Sequence, residues 1–273
     1  MKPILFLLLL LTGFTCKAQS LYSVLHLNEN NAYKFGRPTT IIEEYTWYGS
    51  GSNKFIKTVK LFDNAGMLVN DERFDKDGKS TASFSYTNDT ARRLRLSKVP
   101  EQSLVTGFLK ETTTYMYNKN GFLVRYVQDN EKNVVTWVAT IIPDDRGNPI
   151  EFTLYDGHGN VFGKEKAEYD YSTNTATNTV YTREGARLGT SVMFFKAQQP
   201  TKAQMDNINF NSHGDPLFSV LKNSDGTTVR FEYEYKYDNL GNWIEARTYR
   251  VTTKSSGKLK RELSRESKRT ITY

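Results

Sequence analysis

A chain of 273 residues with 38% hydrophobic and 13% aromatic content can build a sizeable core, which excludes disorder throughout. The formal net charge of +7 is unevenly placed: residues 246–273 hold nine Lys or Arg against Glu262 and Glu266, and residues 19–245 carry −2. A basic terminal segment therefore follows a nearly neutral body.

Lys2 and the apolar run Ile4 to Leu11, followed by Cys16-Lys17-Ala18, read as a secretory signal peptide over residues 1–18, with cleavage after Ala18 leaving Gln19 first. Gly13-Phe14-Thr15 fits a lipoprotein consensus poorly, so acylation at Cys16 is the lesser alternative. Beyond the leader, no segment approaches the roughly 20 apolar residues of a spanning helix. Residues 19–60 read as N-terminal strands and a cap. Within them 21–37 shows no clean period, with Leu25, Leu27 and Tyr33 available to cover the start of a sheet. Residues 39–48 and 55–62 have strand composition on either side of the turn-rich Gly49-Ser50-Gly51-Ser52-Asn53.

From residue 61 to 251 one device recurs: an aromatic, then Asp, Asn or Thr, two variable positions and Gly. It occurs at Phe62-Asp63 to Gly66, Phe74-Asp75 to Gly78, Tyr117-Asn118 to Gly121, Tyr155-Asp156 to Gly159, Tyr181-Thr182 to Gly185, Phe210-Asn211 to Gly214 and Tyr237-Asp238 to Gly241. Asp144 to Gly147 and Asn223 to Gly226 keep the turn without the aromatic. With 18 glycines and 13% aromatics, about two such spacings would arise by chance, so seven constitute a repeat. Asx at the first turn position and Gly three residues later are what a type I turn closing a bulged hairpin requires.

Gly66 and Gly78, Gly147 and Gly159, and Gly214 and Gly226 are each 12 residues apart, spacing that predicts strands of about 5 to 8 residues. Each pair is followed by a further turn candidate, at Tyr86 to Asp89, Tyr171 to Asn174 and Tyr237 to Leu240. Residues 97–106 around Pro100 read as a loop, and 201–207 after Pro200 as a turn or two of helix. In 229–237, Val229, Phe231, Tyr233, Tyr235 and Tyr237 alternate with charges, and Trp243 to Val251 completes a hairpin. The expected fold is all-β: consecutive antiparallel hairpins in an extended, twisted meander sheet.

Tyr-Asp-x-x-Gly-Asn, at Tyr155 to Asn160 and Tyr237 to Asn242, resembles the YD repeat of the Rhs family. That resemblance implies successive hairpins in a long sheet, in a bacterial exported protein, with too few units to enclose a toxic passenger.

Candidate chemistry is sparse. Trp47, Trp137 and Trp243, with Tyr233 and Tyr235, offer flat amphipathic rings for stacking on a ligand, although the tyrosines' spacing equally suits a core face. His158 and His213 each precede a turn glycine and would meet if their hairpins stacked, but no ligand pattern supports a metal. No nucleophile motif is present, and a carboxylate pair could lie anywhere among 30 Asp and Glu. Residues 252–273 read as a basic closing hairpin, a cap whose lysines protect a sheet edge. The function expected is an exported structural or binding module of the cell envelope or extracellular space, without catalysis or cofactor. Its partners would be a carbohydrate, an envelope polymer or another envelope protein, not nucleic acid. The alternative is a carbohydrate-active hydrolase using an unidentified carboxylate pair.

Overall fold

The computed structural model describes residues 33–49, 53–104, 107–173, 175–194, 208–222, 228–253 and 259–273. The leader with Cys16 and Gln19, most of the turn at 49–53, the helix considered at 201–207 and the turns at Asn223, Gly226 and 255–257 lie outside the described residues.

The chain is all-β. Its strands are β1 (Thr40–Trp47), β2 (Lys54–Phe62), β3 (Leu68–Phe74), β4 (Ser80–Asp89), β5 (Leu94–Leu104), β6 (Gly107–Tyr117), β7 (Leu123–Asn130), β8 (Val135–Pro143) and β9 (Pro149–Asp156). They continue as β10 (Val161–Asp170), β11 (Thr175–Thr182), β12 (Arg187–Phe194), β13 (Ile208–Phe210), β14 (Pro216–Lys222), β15 (Thr228–Tyr237), β16 (Trp243–Thr253) and β17 (Leu259–Thr272). All belong to one 17-stranded sheet. Each strand from β1 to β12 pairs antiparallel with the next, as does each from β13 to β17.

β17 also pairs antiparallel with β1, from Thr40↔Thr272 to Trp47↔Arg265. The ladder therefore runs from β13 to β17, on to β1, and then to β12. This corrects the reading of the basic C-terminal segment as edge protection, because β17 has a partner on both sides. Its charges meet carboxylates instead: Arg269 reaches Glu43, and Arg261 reaches Glu232 and Glu234. By alternation, β12 and β13 point the same way.

Residues 97–104 are strand rather than loop. Pro100 sits inside β5 opposite Phe84 of β4, and the β6 ladder skips from Lys98↔Thr113 to Glu101↔Lys110 around it. Proline lacks the N–H that one ladder bond needs, but flanking pairs on both sides hold the strand in place. Tyr86 to Asp89 likewise lies in β4, and the turn falls later, at Arg93, with φ +55° and the Asp89 carboxylate accepting from the Arg92 N–H.

Directly paired residues share a face, so one face can be followed around the ladder. It holds most of the buried side chains and is called the inner face. Ile41, Phe62, Leu68 and Tyr86 form one cluster with Tyr33, Phe84 and Ile271. Ala139, Ile141 and Phe152 form another with Tyr126 and Leu154, and Ala167 packs with Ala176 and Tyr169. The opposite face is laced with ion pairs such as Lys236–Glu245, Arg247–Glu266 and Lys164–Glu151.

The sheet has two distinct ends. At the base lie the start of β1 and the turns β2–β3, β6–β7, β8–β9, β13–β14 and β15–β16. At the crown lie the turns β3–β4, β7–β8, β9–β10 and β11–β12.

Candidate functional site

Among the described residues, nine turns share one backbone circuit. At Asp144 the N–H donates to the Asn148 carbonyl (2.8 Å), the Gly147 N–H donates to the Asp144 carbonyl (3.2 Å), and Asp144 Oδ1 accepts from the Arg146 and Asn148 N–H groups. Asp63, Asp75, Asn118, Asp156, Asn211 and Asp238 repeat this circuit, with Gly66, Gly78, Gly121, Gly147, Gly159, Gly214 and Gly241 at positive φ. Thr182 substitutes its hydroxyl, accepting from Ala186 N–H, and Gly185 follows suit. The ninth turn, Asn130 to Asn133, escaped the sequence reading because Asn133 (φ +56°) stands where glycine was sought. Asn tolerates that region, and the signal was available: Asn133 lies 12 residues after Gly121.

Every one of these turns is followed by a bulge three residues after the glycine or its substitute. Strand parity gives that bulge opposite orientations at the two ends. At the base the aromatic before the turn points inward, as Phe62 does in the core, and the bulged residue points outward. At the crown the register places the bulged residue on the inner face instead. Thr81 and Thr136 occupy two of these positions and donate to the carbonyls of Arg73 and Gln128. Phe162 and Leu188 occupy the other two, 61% and 68% exposed.

The base is closed by a strap. Asn242, 2% exposed, accepts from the N–H groups of Lys34 (2.7 Å) and Phe35 (3.0 Å) and donates to the Phe35 carbonyl and the Tyr273 hydroxyl. Lys34 Nζ reaches Asp215 at 2.8 Å, and the Tyr33 hydroxyl donates to the Gly66 carbonyl. Tyrosines also bridge neighbouring turns: Tyr237 donates to Asp215, Tyr273 to Asp238 and Tyr171 to Asp144. Burial, reinforced by Asp215, pushes Tyr237 up to about 12. Asn242 and the strap were missed as a unit because 207 residues separate their partners.

On the inner face the register brings two carboxylates, Glu43 of β1 and Asp71 of β3, to either side of Lys60 on β2. Glu43 is 1% exposed; Oε1 accepts from Arg269 Nε and Oε2 from Lys60 Nζ, both at 2.6 Å. Burial would raise its carboxyl, but Arg269 and Lys60 outweigh burial and hold it below the usual value. Burial wins at Asp71, whose nearest cation, Arg73, stands 3.6 Å away, and its pKa is raised. Opposed shifts in neighbouring carboxylates are the signature of an acid–base pair. Here both oxygens of Glu43 are occupied and closed from solvent.

The open feature is at the crown, where a groove of about 560 Å³ runs between the β9–β10 and β11–β12 hairpins. Leu154, Val161, Phe162, Val180 and Leu188 line it, with Asp156, Thr182, Arg183 and Glu184 around them. Of the aromatic candidates, Trp137 stands beside this groove, edge-on to Phe162 at 5.0 Å. The others are elsewhere: Trp47 stacks on Tyr45, Trp243 at the base lies under the Arg269 guanidinium (3.3 Å), and Tyr233 and Tyr235 are half-buried within β15. His158 lies at the crown and His213 at the base, stacked on Tyr237, so the two do not meet. No group of three metal-ligating side chains occurs among the described residues.

No family model and no curated protein matches the chain. A porin-like protein from Bacteroides uniformis ATCC 8492 is similar in structure, with 11% identity and a TM-score of 0.45 over 88% of this chain and 98% of that one.

Proposed function

We propose that this chain is an exported, YD-repeat-like binding module of the cell envelope or extracellular space, acting without catalysis or cofactor. The observation that carries this reading is the contrast on the inner face. Its charged centre is filled by its own ion pairs, whereas large apolar side chains stand uncovered at the crown. Exposed apolar groups gathered in one groove mark a surface kept for a partner. Export is tested by the mass of the mature protein, expected to start at Gln19; an acylated chain starting at Cys16 would reject that part.

The opposed carboxylates Glu43 and Asp71 favour a second reading, the hydrolase; stability against pH tests the opposed shifts, and glycan turnover separates the two readings. Glu43, lowered on folding from 4.5, stabilises above that pH and loses its contribution as pH falls through the folded value. Glu43→Gln should therefore cost about 3–5 kcal/mol at pH 7, because Arg269 and Lys60 lose their anion. Asp71, raised from 3.8, favours the fold below that pH and loses the advantage as pH rises. Asp71→Asn should raise the denaturant midpoint at pH 7 and leave it unchanged near pH 3. A wild-type chain that releases reducing sugar from a glycan, and loses that turnover in both variants, establishes the hydrolase instead.

A further inference from the structure

We infer that the inner face over β3, β4 and β5 binds a linear acidic polysaccharide along a row of three cations, an inference that rests on the binding-module reading and names a ligand class for it. By register Asp71 lies opposite Phe84, Arg73 opposite Ala82, Lys98 opposite Tyr86 and Arg95 opposite Asn88. Arg73, Lys98 and Arg95 therefore share the face on which Phe84 and Tyr86 join the core cluster. Along β4, cations and rings alternate. The Arg73 guanidinium lies 4.7 Å from the Phe84 centroid, Lys98 Nζ 5.3 Å from Phe84 and 5.9 Å from Tyr86, and the Arg95 guanidinium 4.1 Å from Tyr86. A guanidinium over a ring is held by the ring's face and turns its N–H groups sideways, in the fork that matches a carboxylate.

Charge along the row is unbalanced. Asp71, the carboxylate whose field reaches Lys98, has a side chain only 9% exposed and stands 3.6 Å from Arg73. Burial pushes the Lys98 ammonium below its ordinary value, and Arg95 and Arg73 push it further. An anion laid over the row offsets that repulsion. The neighbouring cations Lys60 and Arg269 differ in holding Glu43 between them, at 2.6 Å each.

Three features name the occupant. Like charges set apart by rings ask for anionic groups at intervals, which a chain of acidic sugars carries and a single small anion lacks. A nucleic acid stacks its bases on open aromatic faces, and here cations lie over both rings. An acidic peptide gains affinity for a sheet by main-chain pairing at an edge, whereas β4 is already paired on both sides, by β3 and β5. An acidic polysaccharide needs neither, because its carboxylates meet the row while its hydroxyls stay turned to water.

The test is titration calorimetry of the mature chain with an oligogalacturonate, its uncharged methyl ester, poly-L-glutamate and a single-stranded oligonucleotide. The oligogalacturonate should bind, more weakly as salt is added, and the ester should not. Arg73→Gln should weaken binding about fivefold, and Arg73→Gln combined with Lys98→Gln about twentyfold, since exposed ion pairs contribute little singly and more as a network. Lys236→Gln, which removes a 68% exposed cation from the opposite face, should leave affinity unchanged. Arg73 is 48% exposed, so its variant should fold, and unfolding midpoints check the double variant. Binding that survives both variants overturns the site. No binding by the wild type, or equal binding of acid and ester, overturns the ligand class and leaves the crown groove as the surface of the module. Poly-L-glutamate or the oligonucleotide bound in place of the oligogalacturonate, and lost on Arg73→Gln, also overturns the class but keeps the module reading. Depolymerisation of the oligogalacturonate rejects the module reading and keeps the class.

Discussion

Tyr155-Asp156-Gly157-His158-Gly159-Asn160 and Tyr237-Asp238-Asn239-Leu240-Gly241-Asn242 are near copies that fold into the same turn at opposite ends of the sheet. At the crown, Asn160 bonds, among the described residues, only within its own turn, its amide donating to Asp156 Oδ2 at 3.1 Å. At the base, Asn242 joins the 33–36 strap to the last residue of the chain. Identical local chemistry thus serves closure at one end and leaves the other open. The difference comes from what the rest of the chain delivers to each turn.

The sharpest way to break this comparison is to truncate the two asparagines. Asn242→Ala should cost about 2–4 kcal/mol, because four hydrogen bonds to Lys34, Phe35 and Tyr273 disappear. Asn160→Ala should stay within about 0.5 kcal/mol. Equal losses in urea unfolding would mean that the strap contributes nothing.

Glycine substitution sharpens the contrast. Gly66 (φ +75°) and Gly159 (φ +82°) would suffer similar backbone strain as alanine, about 1–2 kcal/mol. A Cβ on Gly66 also meets the Tyr33 hydroxyl at 2.6 Å, whereas one on Gly159 meets nothing within 4 Å. Gly66→Ala should therefore be the worse by about 1 kcal/mol, and the double variant with Tyr33→Phe should recover part of that. Gly121, also unobstructed, isolates backbone strain, and Gly121→Val should cost about 1–3 kcal/mol.

Smaller still is the effect of the tyrosine hydroxyls. Tyr237→Phe should lose about 1 kcal/mol at pH 7, leaving Asp215 and Asn211 without their shared partner, while Tyr155→Phe should lose none. Because the Tyr237 hydroxyl titrates near 12 rather than 10, its contribution is full below 10 and fades as pH rises toward 12. The two midpoints should converge there. The smallest expected change is a gain: Asn133→Gly relieves a positive φ and should stabilise by a few tenths of a kcal/mol, read as a small rise in midpoint.

Most of the strands and turns were legible because hairpin formation is local. Asx and Gly three residues apart determine the circuit within one turn, and alternation such as Phe231, Tyr233 and Tyr235 determines which residues share a face. The signal failed where a residue can serve two conformations. Asn133 took glycine's place, and Pro100 marked a loop locally while neighbouring strands held it in a sheet. The candidate site was barely legible: Trp137 was named, but Phe162 and Leu188 were not, since strand parity turns a bulge inward or outward.

By itself, then, the sequence determined an all-β chain of bulged hairpins, because each turn is closed by atoms a few residues apart. Tertiary structure alone decided that β17 closes onto β1, that Glu43 lies sealed between Arg269 and Lys60, and that the two ends differ. Those outcomes join residues up to 233 positions apart, and no local preference encodes which distant surface a strand will meet.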